Sequence, residues 1–177
     1  MKIADKYLQI QGVQDYRARG TIDGVELVEN RWFSTTDGNF AEILRYDEGR
    51  VKLVNQDFVI KQLSWSYVLP GSVKAYHYHE HQKDLWFCPP TDRLIVNLHD
   101  LREDSPTFDQ HQTIVLGAGK NHILVIPEGV AHGCGNPYTR PMSLFYAVTA
   151  QFNPDAPDEK RLAWDSFGAH VWEIEKG

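Results

Sequence analysis

Short β-rich segments, separated by turn-forming residues, run through most of this sequence and limit what the chain can fold into. Between residues 21 and 146, Val, Ile, Tyr, Phe and Trp are concentrated in short stretches. Gly, Pro, Asn and Asp lie between the stretches, for example at Asp37-Gly38-Asn39 and Leu69-Pro70-Gly71, and such residues form turns between strands. No segment in this range shows a sustained helical apolar period. The pattern therefore predicts an all-β protein.

The predicted strands occur at intervals that are typical of a β-sandwich or a closed barrel. They cover Gly24–Phe33, Phe40–Tyr46, Phe58–Val68, Ser72–Tyr78, Leu85–Cys88, Leu94–Leu98, His111–Leu116, His122–Ile126 and Met142–Thr149. Residues 1–20 are predicted as an N-terminal extension. Residues 154–177 are predicted as a C-terminal segment with a polar turn or one short helix, followed by an apolar stretch that ends at Trp172.

Length, apolar content and charge restrict the classes of protein that fit. A chain of 177 residues, 42% of them apolar, is enough for a single domain with one hydrophobic core. It has 18 basic and 24 acidic side chains, which give a net charge of −6, so it lacks the positive field of a nucleic-acid-binding protein. No apolar run suits a membrane span or a signal peptide. We expect a cytoplasmic protein with no nucleic-acid or membrane partner.

Three histidines in two segments indicate a functional site. His77 and His79 lie on a predicted strand, and because alternate residues of a strand share a face, their side chains should point the same way. By the same rule, Lys74 should point to the opposite face. His132 follows the corner Pro127-Glu128-Gly129 in a second segment. The imidazoles of His77 and His79 are thus expected to face one cavity. The third histidine, His132, belongs to a separate segment of the chain.

The two segments resemble the two sequence motifs of the cupin superfamily. The matching residues are, in order, Gly71, His77, His79 and Asp84, and then Pro127, Gly129, His132 and Asn136. The resemblance implies an all-β, cupin-type (jelly-roll) barrel with a short helical or irregular C-terminal segment.

Within the cupins, the order of the motifs is similar to that of the dTDP-4-dehydrorhamnose 3,5-epimerase family. The similarity covers residues 24–172, and its most specific parts are Asp100-Leu101-Arg102-Glu103-Asp104-Ser105-Pro106-Thr107-Phe108 and Ala131-His132-Gly133. In the first string, we expect Asp100 and Arg102 to hold a turn together through charge-assisted bonds. The family acts on a nucleotide-linked 4-keto-6-deoxy sugar, and the resemblance implies the same small-molecule substrate, no cofactor and a homodimer.

Epimerisation beside a ketone requires a base that removes a proton, a group that stabilises the enolate oxygen, and an acid that returns a proton on the other face. The resemblance implies that His77 is the base, that Asp165 pairs with it and fixes its tautomer, and that Tyr146 is the acid. A neutral imidazole can accept a proton near pH 7, and a carboxylate stabilises the resulting imidazolium. The alternatives are a solvated loop acid at Asp165 and a core tyrosine at Tyr146.

The resemblance also implies a set of substrate-binding residues. Phe40 and Glu42 would hold the nucleobase, and Gln62 would contact it. Lys74 and His132 would lie near the diphosphate or the sugar. Lys74 stands where the family has arginine, which keeps the charge but loses the bidentate fork.

Three further positions depart from the family pattern. Asp37 replaces an arginine that is expected on phosphate, and its negative charge would repel a diphosphate. Asp84 aligns with a lysine that would stabilise the enolate oxygen, and His79 aligns with a glutamine. The last two changes complete a set of three imidazoles and one carboxylate, His77, His79, Asp84 and His132, that suits one divalent transition metal. Such an ion would replace the missing cation, but His77 would then not be free to act as the base.

Three functions follow from these patterns. The first is an epimerase or isomerase of a nucleotide-linked 4-keto-6-deoxy sugar. The second is a metal-dependent cupin enzyme that acts on another small polar substrate, such as an isomerase or a dioxygenase. The third is a sugar-binding cupin without catalytic activity.

A cluster of aromatic residues is interpreted as barrel core and dimer interface in preference to a stacking platform for a base or sugar. Its members are Trp65, Tyr67, Tyr76, Tyr78 and Trp86.

Overall fold

Strands dominate the structure, a computed structural model that describes residues 1–13 and 20–174. In chain order they are β1 (Glu26–Asn30), β2 (Trp32–Thr35), β3 (Gly38–Ala41), β4 (Tyr46–Asp47), β5 (Arg50–Val51), β6 (Gln62–Val68), β7 (Val73–Tyr78), β8 (Asp84–Phe87), β9 (Arg93–Asp100), β10 (His111–Gly117), β11 (Asn121–Ile126), β12 (Val130–Gly135), β13 (Met142–Val148) and β14 (Lys160–Arg161). The helices are α1 (Asp5–Leu8) and a 3₁₀ helix (Ala169–Trp172). Within these ranges, neither helix has the length and apolar character needed to cross a bilayer.

Two five-stranded antiparallel sheets form the body of the fold. The first sheet has the order β1-β11-β8-β13-β6, and the second has the order β10-β9-β12-β7-β14. Two small hairpins, β2-β3 and β4-β5, lie outside these sheets. The all-β prediction is therefore confirmed. The predicted N-terminal extension, residues 1–20, lies partly outside the described residues.

The main hydrophobic core is made of side chains from both sheets. Trp86 and Leu144 of the first sheet belong to the same buried cluster as Val96 and Leu98 of the second. The outer face of each sheet is covered separately. The loop that carries Phe58 packs on the first sheet, and the C-terminal segment that carries Trp172 packs on the second. Removal of this apolar surface from water is the main stabilising contribution to such a fold.

The predicted and observed strands differ in several places. Phe40–Tyr46 was predicted as one strand but is mostly the loop between β3 and β4. Strand β12 was missed because its sequence, Val-Ala-His-Gly-Cys-Gly, has few residues with a preference for strands, although every one of them is buried. Strand β14 lies where a turn or a short helix was predicted. The C-terminal segment does contain a short 3₁₀ helix, but it lies at Ala169–Trp172, in the stretch that was predicted only as apolar.

The loop after β9 is held by a buried carboxylate, as the sequence predicted. Asp100 accepts hydrogen bonds from the Arg102 guanidinium at 2.7 and 2.8 Å, and from the Ser105 and Thr107 hydroxyls at 2.6 and 2.7 Å. Burial raises the pKa of Asp100, but these donors lower it by more, so the pKa lies below its usual range. The expectation that Asp100 and Arg102 hold a turn together is confirmed.

Strands β7 and β12 approach each other closely at Gly133. A Cβ atom on Gly133 would lie 2.2 Å from the Cβ atom of Ala75, so a larger residue could not keep this spacing. In the register, His132 is opposite His77 but Cys134 is opposite Lys74, so β7 contains one extra residue between these pairs. The extra residue is a bulge, and a bulge reverses the alternation of faces. The prediction that Lys74 and His77 point to opposite faces is therefore wrong.

Candidate active site

A cavity of about 460 Å³ contains His77 and is lined by both sheets. Lys74 and His77 come from β7 in the second sheet, whereas Ser66 and Tyr146 come from β6 and β13 in the first sheet. His77 and Tyr146, the predicted base and acid, thus lie on different walls of one cavity. That placement suits proton transfer on opposite faces of a bound molecule.

Four potential ligand atoms converge beside this cavity, and three of the four residues line it. They belong to His77, His79, Asp84 and His132, and all lie within 4.8 Å of one another. The side chains of His79, Asp84 and His132 are 7%, 3% and 1% exposed, and His77 is less deeply buried. Nε2 of His79 is 3.6 Å from one Asp84 oxygen, and Nε2 of His132 is 3.6 Å from the other. The sequence predicted this set, and the structure brings it together.

Backbone carbonyl groups fix the tautomers of two of these histidines. Nδ1 of His132 is 2.8 Å from the carbonyl oxygen of Val130, and Nδ1 of His79 contacts the carbonyl oxygen of Asp158. A carbonyl oxygen only accepts hydrogen bonds, so both Nδ1 atoms carry the proton. The Nε2 atoms of both rings face the Asp84 carboxylate, each 3.6 Å from one of its oxygens.

Asp84 is ionised and hydrogen-bonded. Its two oxygens accept hydrogen bonds from the Gln82 amide at 2.8 Å and from the Trp86 indole N–H at 3.0 Å. Burial raises the pKa of Asp84, but His132, His79 and the indole N–H together lower it by more, so the pKa lies below its usual range. The cluster thus holds a buried carboxylate.

His77 is neutral at pH 7. Burial, with a smaller contribution from the neighbouring His132, lowers the pKa of His77 to about 2. The Asp84 carboxylate opposes this effect. The rings of His77 and His132 are 4.2 Å apart between centroids. A neutral imidazole is the form that can accept a proton.

Two basic side chains line the same cavity. The Lys74 ammonium donates a hydrogen bond of 2.7 Å to the Ser66 hydroxyl. Arg161 lies opposite His77 in the β14–β7 pairing, and its guanidinium contacts the Glu159 carboxylate. Arg161 was not among the predicted site residues, because only the pairing of β14 with β7, two strands distant in sequence, places it here. The one feature of the sequence that could have pointed to Arg161 is that it is a basic residue just before Trp164.

Five residues with predicted roles do not line this cavity in the described part of the chain: Phe40, Glu42, Gln62, His132 and Asp165. His132 packs against His77, which does line it. Phe40, 65% exposed, lies on the β2-β3 hairpin, and the Glu42 carboxylate binds Arg45 at 2.8 Å. Gln62 is at the start of β6, where its amide oxygen accepts the backbone N–H of Phe152 at 2.9 Å. Asp165 lies in an exposed turn. Their roles in binding and catalysis stay predictions.

Asp37 is also exposed, in the turn between β2 and β3. A hydrogen bond of 2.6 Å from the Thr35 hydroxyl lowers the pKa of Asp37. The carboxylate is thus charged at neutral pH, the state in which it would repel a diphosphate.

A comparison of the sequence with known protein families gives one match that fits the cavity just described. Residues 19–173 match the sequence profile of the dTDP-4-dehydrorhamnose 3,5-epimerase family. The chain belongs to this family. Two features predicted from the sequence are thereby confirmed: a cupin-type all-β fold and an enzyme of the sugar-nucleotide epimerase class.

Three related proteins show how far the similarity extends. The spore coat polysaccharide biosynthesis protein SpsL of Bacillus subtilis is 43% identical over 144 residues, which cover 81% of this chain and 91% of SpsL. The probable low-salt glycan biosynthesis epimerase Agl13 of Haloferax volcanii is 33% identical over 72% of this chain and 79% of its own length. The 3,5-epimerase of Legionella pneumophila, crystallised with dTDP-4-keto-L-rhamnose, has the same fold, with a TM-score of 0.72 and 24% identity, covering 89% of this chain and 82% of that one.

Proposed function

We propose that this epimerase inverts one or both carbons beside the ketone of a dTDP-linked 4-keto-6-deoxy sugar. The observation that carries the proposal is the single cavity in which His77 and Tyr146 stand on walls formed by different sheets. The complex of the Legionella relative with dTDP-4-keto-L-rhamnose supports the substrate class. The name of SpsL supports a role in polysaccharide biosynthesis.

The proposed reaction is a pair of proton transfers. The neutral imidazole of His77 takes the proton of a C–H bond beside the ketone, and the electron pair of that bond forms the enolate. The Tyr146 hydroxyl then gives a proton to the opposite face of the carbon, and exchange with solvent restores both side chains. The positive charges of Lys74 and Arg161 stabilise negative charge on the enolate or the diphosphate.

Substrate binding also improves His77 as a base. In the protein without substrate, the pKa of His77 is lowered to about 2, so the imidazole is neutral but only weakly basic. An anion that binds nearby favours the imidazolium and raises the pKa. The diphosphate and the developing enolate are two such anions. We therefore expect proton abstraction to depend on the nucleotide diphosphate as well as on the sugar.

Deuterium incorporation from solvent tests the function directly. When the protein is incubated with dTDP-4-keto-6-deoxyglucose in D₂O, we expect deuterium at the carbons beside the ketone, measured by NMR. Label at both carbons indicates a 3,5-epimerase, and label at one indicates epimerisation at a single carbon. Absence of label, while an authentic epimerase labels the same substrate, would contradict the proposal. Saturable substrate binding without label would favour the non-catalytic sugar-binding cupin.

We also propose that the enzyme is a cytoplasmic homodimer. An exposed apolar stripe supports the dimer: Leu63, Trp65 and Tyr67 alternate with inward-facing residues along β6, the edge strand of the first sheet. Trp65 and Tyr67 are 57% and 49% exposed, with ring centroids 5.6 Å apart. An edge strand can pair with its own copy about a two-fold axis, which would cover both the unpaired backbone and the stripe.

Sedimentation tests the dimer. We expect a particle of twice the 20.3 kDa of one chain, and a monomer when Trp65 and Tyr67 are both replaced by glutamate, because buried charge opposes association. The matched control is Val115→Glu, at an exposed apolar position on the edge strand of the other sheet. A monomeric wild type, or a dimer lost only in the control, would contradict the proposed interface.

Fractionation of the native host's cells would test the cytoplasmic location. Recovery of the protein in a membrane or extracellular fraction would contradict that location.

A further inference from the structure

We propose that Arg161 is a catalytic residue whose guanidinium binds the ketone oxygen of the sugar and stabilises the negative charge of the enolate. The assignment rests on the proposed epimerase function and adds to it. That function alone does not decide which cation of the cavity contacts which negative charge of the substrate.

The substrate presents two negative charges at separate places during the reaction. The diphosphate is charged from the start, whereas the ketone oxygen becomes negative only when a neighbouring C–H bond loses its proton. In a nucleotide-linked 4-keto sugar, the nucleotide is attached at C1 and the ketone is at C4, on opposite sides of the pyranose ring. Two cations at separate places in the cavity therefore suit this substrate.

Lys74 and Arg161 are the two basic side chains that line the cavity in the described part of the chain. The other charged side chains that line it are acidic, Asp84 and Glu159. A carboxylate repels an enolate oxygen and does not stabilise it. The enolate charge therefore depends on one of the two basic residues.

Arg161 is directly opposite His77 in the antiparallel pairing of β14 with β7. Opposed residues of two antiparallel strands place their side chains on one face, with Cβ atoms about 4.5 to 5.5 Å apart. Both residues line the cavity. The carbon that loses its proton to His77 is bonded to the carbon of the ketone, so the ketone oxygen also lies close to His77. Arg161 is placed to bind this oxygen.

Lys74 has a different position in the cavity. It comes three residues before His77, on the other side of the bulge in β7. Its ammonium donates a hydrogen bond of 2.7 Å to the Ser66 hydroxyl, which belongs to the opposite sheet. Lys74 is thus held toward the first sheet, and we assign it to the diphosphate end of the substrate.

The backbone that carries Arg161 is fixed on both sides of this residue. The Asp158 carboxylate accepts hydrogen bonds of 3.0 and 2.8 Å from the backbone N–H groups of residues 80–81. Leu162 and Tyr76 exchange two backbone hydrogen bonds, of 3.0 and 3.3 Å. Donors that are in position before the reaction stabilise developing charge without a cost of reorganisation.

A guanidinium suits an enolate oxygen because it stays protonated and only donates hydrogen bonds. It stabilises the charge without giving up a proton, so no bond to Arg161 forms or breaks, and the proton transfers remain with His77 and Tyr146. The Glu159 carboxylate contacts the guanidinium, and 70% of the Arg161 side chain is exposed. N–H groups are therefore accessible to a bound sugar.

Two measurements on the full-length protein test the assignment. They are the rate of deuterium exchange at saturating dTDP-4-keto-6-deoxyglucose and the affinity for dTDP by calorimetry. Arg161→Gln should lower the saturated rate about 10²-fold, the usual loss when one donor to an oxyanion is removed. Its affinity for dTDP should change less than about 3-fold, because the lost contact acts in the transition state. Arg161→Lys keeps the charge without the planar fork and should recover part of the rate.

Two further variants complete the comparison. Lys74→Gln should show the reverse pattern: its affinity for dTDP should fall about 10-fold, as expected for a lost charged hydrogen bond, with a smaller loss of saturated rate. The matched control is Lys160→Gln, which removes one charge from the same strand. Lys160 is exposed and does not line the cavity, so both measurements should match the wild type. Binding of dTDP also reports that each variant is folded.

Loss of saturated exchange in Arg161→Gln, with the affinity for dTDP retained, would support the assignment. Exchange within about 3-fold of an active wild type, far less than an oxyanion donor contributes, would overturn it and leave the epimerase function standing. Weaker dTDP binding with an unchanged saturated rate would also overturn it, because Arg161 would then contact the diphosphate. Absence of exchange in the wild type would overturn the epimerase function and the assignment together.

Discussion

Replacing His77 with asparagine should lower both deuterium exchange and product formation by about 10²-fold to 10⁴-fold, the usual contribution of a general base. The substitution keeps a polar side chain in the cavity but removes the ring that accepts the proton. Because proton removal precedes every later step, neither label nor epimer should accumulate. Substrate affinity should change much less, since Lys74 and Arg161 remain in the cavity.

The effect of His77→Asn is measured by NMR in D₂O with substrate in excess. His81→Asn is the matched control, because His81 is exposed and does not line the cavity. Metal content is determined for both variants, so that a lost ion is not mistaken for a lost base. Exchange in His77→Asn within about 3-fold of the wild type, far less than a base contributes, would exclude His77 from proton abstraction.

Replacing Tyr146 with phenylalanine should separate the two proton transfers. Loss of the hydroxyl removes the acid on the far wall, so epimer formation should fall by about 10²-fold to 10⁴-fold. His77 can still remove the proton, exchange it with solvent and return deuterium to the same face. We therefore expect continued deuterium incorporation without inversion, a combination that a purely structural role of Tyr146 would not produce.

Product stereochemistry and label are measured in the same sample for Tyr146→Phe. The matched control is Tyr138→Phe, a half-buried tyrosine that packs against the core and does not line the cavity. If exchange and inversion fell together in Tyr146→Phe, with the fold intact by circular dichroism, Tyr146 would not be the acid that acts after enolate formation.

The amino-acid sequence alone determined the fold class, the family and the histidine cluster. Short apolar segments with turn residues between them leave few alternatives to an all-β fold. The strings around Asp100 and Ala131-His132-Gly133 identified the family that the comparison confirmed. His77, His79, Asp84 and His132 were recognised because the two motifs fix them in order. These features are local, so the pattern of neighbouring residues is sufficient to predict them.

The tertiary structure decided what else surrounds that cluster. A bulge in β7 turned Lys74 into the cavity, against simple alternation. Strand β14, too short and polar to be predicted, placed Arg161 opposite His77. Phe40 and Asp165 lie on an exposed hairpin and an exposed turn, and neither is among the residues that line the cavity. In each case the position depends on the pairing or packing of segments that are distant in sequence, and local periodicity carries no information about which segments meet.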